Sequence, residues 1–143
     1  MKKLLYFLIL CVFSVCFTSG EEIKKTKIEV LYFHATIRCE ACLMIEKFTK
    51  ETIEQVFQDE IKTGNLQFVS LDFMQDENIK YVEEFAIETQ TLIVRLSEDN
   101  RTIRWKNLDK IWNYLNDYSK FRQYIIDEIK EFLKEVDNGK DQN

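Results

Sequence analysis

The sequence predicts an α/β fold in which a mixed four-stranded sheet carries helices on both faces, and three observations support this. Residues 28–34 form a nearly continuous apolar run, the mark of a central strand covered on both sides. A long amphipathic stretch separates that run from a second one at residues 66–73, so the two strands should lie parallel through a right-handed crossover. Two later runs, residues 91–96 and 102–105, flank a polar stretch and read as a hairpin. The element order is then β-α-β-α-β-β-α, which the layer rules close into one domain.

Taken in order, residues 21–27 are charged and read as a flexible lead-in to a domain spanning residues 28–136. From Glu40 to about Ile61, the apolar positions Ile45, Phe48, Ile53, Val56, Phe57 and Ile61 recur at near-helical spacing and predict one long helix. Gly64-Asn65 stops it. Residues 76–85 predict a shorter helix with Ile79, Val82 and Phe85 facing inward. Asn107 is placed to cap a further helix whose inner face holds Leu108, Ile111, Trp112 and Leu115. Residues 116–119 interrupt the pattern, and a last helix runs from Lys120 to about Val136 with Phe121, Ile125, Ile129, Phe132, Leu133 and Val136 on one stripe. Asn138-Gly139 ends that helix, and residues 137–143 are a polar tail. Trp105, Trp112, Tyr114, Tyr118 and Tyr124 read as core rather than as an exposed aromatic platform, and Glu128 and Glu131 as a solvated helical face.

The first twenty residues read as an address. Lys2 and Lys3 precede an apolar run at residues 4–17, too short for a membrane span of ~20 residues, and Thr18-Ser19-Gly20 offers small residues for cleavage. A cleaved signal peptide is the leading expectation and an N-terminal anchor the alternative. The protein is then exported, periplasmic or secreted, and meets a membrane only if the segment is uncleaved. The formal net charge of the whole chain is −5; the cut removes two of the 20 basic residues and none of the 25 acidic ones, leaving −7. An acidic chain of this kind argues against nucleic acid as a partner.

The cut also removes Cys11 and Cys16 and leaves Cys39 and Cys42. A single C-x-x-C pair is not the dense framework of a small disulfide scaffold. It opens a helix, where free backbone N–H groups and the helix dipole favour negative charge and bias a thiol toward the reactive thiolate. Redox use leads, with a static disulfide and a metal or cluster site as alternatives. Zinc usually takes four Cys or His ligands, and the cut chain offers two Cys and one His, so no metal site is assigned.

With C-x-x-C at the head of its first helix, this β-α-β-α-β-β-α chain resembles the thioredoxin-like superfamily over roughly residues 28–136. Thr89-Gln90-Thr91-Leu92 is similar to the thioredoxin segment that reads residue-Pro-Thr-Leu. The block FHATIRCEAC, with the segment from Trp105 to Trp112, resembles a secreted bacterial thioredoxin-like family labelled as a nitrophenyl-compound nitroreductase subunit. Nothing in the chain resembles a flavin or nicotinamide fingerprint, so nitroreduction by this chain itself is not expected. The resemblance implies that Cys39 attacks and Cys42 resolves, with their redox-active disulfide as the reacting group and no cofactor.

Two positions depart from the thioredoxin pattern. The proline that is normally cis beside the active site is replaced by Gln90, and a cis bond before a non-proline costs ~3 kcal/mol, so Thr89-Gln90 should be trans. The buried aspartate that assists proton transfer would fall near Tyr32 or Phe33, where there is no carboxylate, which argues against efficient thioredoxin-style reduction.

Supporting residues follow from placement. Arg38 favours a Cys39 thiolate and Glu40 opposes it, unless Arg38 is an ordinary solvated charge. His34, the only histidine, is either a proton shuttle or a packed strand-end residue. Thr36 is placed to hydrogen-bond the backbone of the corner, and Thr89 and Gln90 to present main-chain groups to an incoming peptide. The expected activity is that of an exported thiol-disulfide oxidoreductase acting on a protein disulfide or thiol, with a redox partner in a bacterial envelope. A non-catalytic binding subunit with a structural disulfide is the alternative, and metal or cluster handling a minor one.

Overall fold

The computed structural model describes residues 25–140, so the expected signal segment, residues 21–24 of the lead-in and the last three residues lie outside the described residues. Strand β1 (Thr26–His34) begins two residues before its apolar run and is followed by helix α1 (Glu40–Val56) and helix α2 (Gln58–Thr63). Strand β2 (Leu66–Asp72), a 3-10 turn (Asp76–Asn78) and helix α3 (Ile79–Phe85) come next. Strands β3 (Thr91–Glu98) and β4 (Arg101–Asn107), a 3-10 segment (Asp109–Tyr114) and helix α4 (Tyr118–Lys140) complete the chain. The sheet order is β2-β1-β3-β4. β1 runs parallel to β2 and antiparallel to β3, and β3 and β4 form the antiparallel hairpin. A parallel pair joined by a helix, then a hairpin, with C-x-x-C at the head of the first helix, is a thioredoxin-like fold.

β1 is buried on both sides because alternate residues serve two cores. Ile28, Val30 and Tyr32 pack in the larger one with Ile45 and Ile53 of α1 and Phe121, Ile125, Ile129 and Phe132 of α4. Leu31 and Phe33 pack with Phe85, Ile87 and Ile93 on the α3 side. Such a strand has no polar alternation left, which is why it reads as one apolar run.

The structure corrects several expectations. The long helix breaks at Phe57, whose φ of −117° and ψ of 39° turn its ring into the core while its N–H still bonds the Ile53 carbonyl at 3.0 Å. Helix α2 then buries none of its residues, and Ile61 is exposed. Ile79 is exposed because the 3-10 turn before α3, with three residues per turn, shifts the phase of the stripe so that Phe85 alone is fully buried. Asn107 belongs to β4 and caps no helix; the segment after it is 3-10. Trp105, Trp112 and Tyr118 are exposed rather than core. Helix α4 starts at Tyr118, capped by the Asp117 carboxylate on the Lys120 N–H at 3.1 Å, and continues through Asn138-Gly139 into the expected tail. Glu128 and Glu131 are not free in solvent, since they pair with Lys106 and Arg104 of β4.

Two tight turns explain the rest of the chain path. Asp99 and Asn100 have φ of 50° and 65°, so the hairpin closes in two residues whose left-handed backbone matches the strand twist. Gly64 ends α2 at φ 75°, and a Cβ there would meet nothing within 4 Å. The cost of Gly64→Ala is therefore backbone strain alone, about 1 kcal/mol, and a urea midpoint unchanged from wild type would contradict it.

Candidate functional site

The last residues of β1, the corner after it and the first turn of α1 form one hydrogen-bonded unit. Cys39 is the N-cap residue of α1, with extended dihedrals, and its Sγ accepts the Cys42 N–H at 3.2 Å. Its carbonyl accepts the Leu43 N–H at 3.1 Å. Cys39 and Cys42 are joined as a disulfide with Cα atoms 5.1 Å apart. Cys39 is exposed and Cys42 is 1% exposed. On reduction, the exposed sulfur keeps a cap position aimed at a backbone donor, which stabilises its anion.

β1 holds this turn from beneath. The Tyr32 hydroxyl donates to the Cys42 carbonyl at 3.0 Å, and burial, only partly opposed by nearby Arg38, pushes that phenol up to about 12. It therefore stays a donor across the working pH range. Thr36 donates to Asp72 Oδ2 at 2.7 Å, so it ties the corner to the end of β2 through a side chain rather than through the corner backbone. This hydrogen bond is the main reason the Asp72 carboxyl lies below its usual range. The Phe73 N–H closes the same edge on the His34 carbonyl at 2.9 Å. His34 is half-buried, its Nδ1 donating to the Ala35 carbonyl at 3.0 Å and its ring 6.0 Å from that of Tyr32.

Arg38 is not an ordinary solvated charge. Its guanidinium lies 5.8 Å from the Tyr32 ring centroid and forms an ion pair with Glu46 Oε2. Burial alone would raise the Glu46 carboxyl, but Ser70 and Arg38 outweigh it and hold it below the usual range. Glu46 escaped the sequence reading. Its signal was its place four residues after Cys42, which puts both on one helix face.

Thr89 and Gln90 lie beside this unit, because they immediately precede Thr91, which pairs with Phe33 near the end of β1. The described peptide bonds are trans, Thr89-Gln90 included. The Thr89 hydroxyl donates to Gln90 Oε1 at 2.9 Å, and the Thr89 carbonyl already accepts Thr91 Oγ1 at 2.8 Å. Tyr32 and Phe33, the positions near which the resemblance would put the thioredoxin aspartate, are both fully buried. Among the described residues, no group of three or more His, Cys, Asp or Glu could hold a metal ion. A groove of about 420 Å³ between α1, α2 and β2, lined by Lys25, Lys27, Lys50 and Phe68, lies at the opposite end of the sheet from the cysteines.

Solved structures similar to this chain include these two. One is a malarial protein at 21% identity, over 57% of this chain and 80% of that one, with a TM-score of 0.37. The other is thioredoxin-2, a component of the malaria parasite protein secretion machinery, at 16% identity over 64% of this chain and 84% of that one, with a TM-score of 0.38. No protein-family model and no curated protein matches the chain. Likeness at this level carries no argument about activity or partner.

Proposed function

We propose that this chain is an exported thiol-disulfide oxidoreductase, with Cys39 as the attacking sulfur and Cys42 as the resolving one. One observation carries the reading: an exposed N-cap cysteine is joined to a buried one a single helical turn away. In the reduced protein the Cys39 thiolate attacks a substrate disulfide, forms a mixed disulfide and releases one substrate thiolate, which takes a proton from solvent. Cys42 then gives up its proton and attacks Cys39 Sγ. The second substrate thiol leaves, and the Cys39–Cys42 disulfide re-forms. Two electrons and two protons pass to the substrate, and the reverse sequence oxidises a dithiol.

A protein substrate fits the surroundings. Ile37, Leu43 and Met74 are 88%, 51% and 64% exposed, and they lie on the corner, on the first turn of α1 and after the Asp72 anchor. Export rests on the address-like first twenty residues, and with it a redox partner in the same compartment, in a bacterial envelope if kinship with the nitroreductase-subunit family holds. The second reading, a binding subunit with a structural disulfide, is favoured by the fully buried Tyr32 and Phe33, neither of which supplies a proton-transferring carboxylate.

The reduction potential decides between them. Titration against glutathione and dithiothreitol buffers, scored by alkylation and mass, should give a value between about −120 and −270 mV for a working couple. A value below about −300 mV would replace the enzyme with the binding subunit.

A further inference from the structure

Arg38 adjoins the exposed sulfur in sequence, yet its guanidinium turns onto α1. Its Nε is enclosed and has no hydrogen-bond partner, while Nη2 is engaged by the Glu46 carboxylate. The side chains of Arg38 and Glu46 are 21% and 25% exposed, so water screens the pair weakly. Glu46 stands four residues after Cys42, and helical side chains lean toward the N-terminus, so its carboxylate covers the turn that holds the buried cysteine. An enclosed guanidinium with an unused Nε donor is a ready partner for an anion that forms on the neighbouring residue. The Cys39 thiolate is such an anion, present after reduction and absent before it.

We propose that Glu46 is a positioning residue that competes with the Cys39 thiolate for Arg38 and thereby sets the potential of the Cys39–Cys42 couple. The inference deepens the thiol-disulfide reading and rests on it. In reduction by glutathione, two glutathione thiols give up two electrons and two protons, become glutathione disulfide and leave the protein as a dithiol. Cys39 then releases its proton to solvent according to its own acidity. Whatever stabilises that thiolate draws the equilibrium toward the reduced protein and makes the couple more oxidising. Glu46 withholds Arg38 and adds a negative charge of its own, so it acts in the opposite sense. The other charged or titratable groups around the site are Glu40 in the first turn of α1, Tyr32 and His34 on β1 and Asp72 at the end of β2, and they stay constant through the variants.

The test reads potentials and Cys39 alkylation profiles in four variants of the mature protein, with far-ultraviolet circular dichroism as the folding check. Glu46→Gln should shift the equilibrium with glutathione toward reduced protein by roughly tenfold, as expected for unit charges at this range, which is ~30 mV less negative. Its alkylation midpoint should fall. Arg38→Met should move both readings the other way. Arg38→Lys, which keeps the charge, and the double variant Arg38→Met/Glu46→Gln, which removes both charges, should each lie near wild type. A purely structural role for the pair predicts that both single variants shift in one direction, and that result, or no shift in either, would overturn the inference. Failure of the enzymatic reading would appear in wild type itself, as a potential below about −300 mV, while the signs of the variant shifts remain readable in dithiothreitol buffers.

Discussion

Arg95→Met is expected to remove about 3–5 kcal/mol of stability at neutral pH, the usual cost of breaking a buried ion pair from one side. Arg95 and Glu29 face each other across β3 and β1, with side chains 4% and 7% exposed. Arg95 Nε and Nη2 both lie 2.8 Å from Glu29 Oε2, while Ser97 donates to the same oxygen at 3.0 Å and Lys27 pairs with the other at 2.9 Å. The Arg95 guanidinium also lies over the Tyr81 ring and donates to Thr102. Methionine would fill much of the volume but leave the carboxylate enclosed with too few partners. A second substitution, Glu29→Gln, should restore much of the loss because it removes the stranded charge. Guanidinium midpoints for the two variants measure this, and a loss under about 1 kcal/mol for Arg95→Met would show that the carboxylate is less enclosed than it looks.

The same pair gives a pH signature. Burial pushes the Glu29 carboxyl up, but Lys27, Arg95 and Ser97 together pull it below its usual range. A depressed carboxyl contributes stability that is complete above the unfolded pKa of ~4.3 and is lost as the pH falls through the folded value. Wild type should therefore be flat from pH 7 to about 5 and weaken below that. In Arg95→Met burial dominates, the Glu29 pKa rises, and acidification from pH 7 toward about 5 should stabilise the variant instead. A flat wild type beside a variant that gains stability across that window is the expected observation. Parallel curves would mean that other carboxyls carry the acid dependence.

What the sequence made legible divides along a physical line. The two-sided burial of β1 and the opening of α1 at Cys39 are local or periodic signals, and they survive in the structure. The break at Phe57 did not show, because a helical stripe continues through a residue whose dihedrals leave the helix to place one ring. The exposure of Trp105 was hidden because β4 is an edge strand, with a register irregularity at Leu96/Ser97. α3 is only seven residues long and covers little of that side. Charges were the least legible. Arg38 with Glu46, and Arg104 and Lys106 with the α4 carboxylates, pair across elements, and nothing in their spacing announces the partner. The cysteines were readable at the site because their spacing is itself the chemistry; their electrostatic setting was not.

Cys42→Ser is expected to convert the protein into a trap. Cys39, exposed and capped by the residue 42 N–H, keeps its access and its anion-stabilising donor, since serine leaves that backbone group in place. It can still attack a substrate disulfide, but no second sulfur remains to release the product, so mixed disulfides accumulate and separate on non-reducing gels. Cys39→Ser should abolish both turnover and trapping, because the remaining sulfur is 1% exposed and no substrate can reach it in line. The two variants lose the same disulfide, so any difference between them is not a stability effect. Equal trapping through either cysteine would deny the exposed sulfur its special role, and trapping through neither, in folded protein, would leave the disulfide a structural staple.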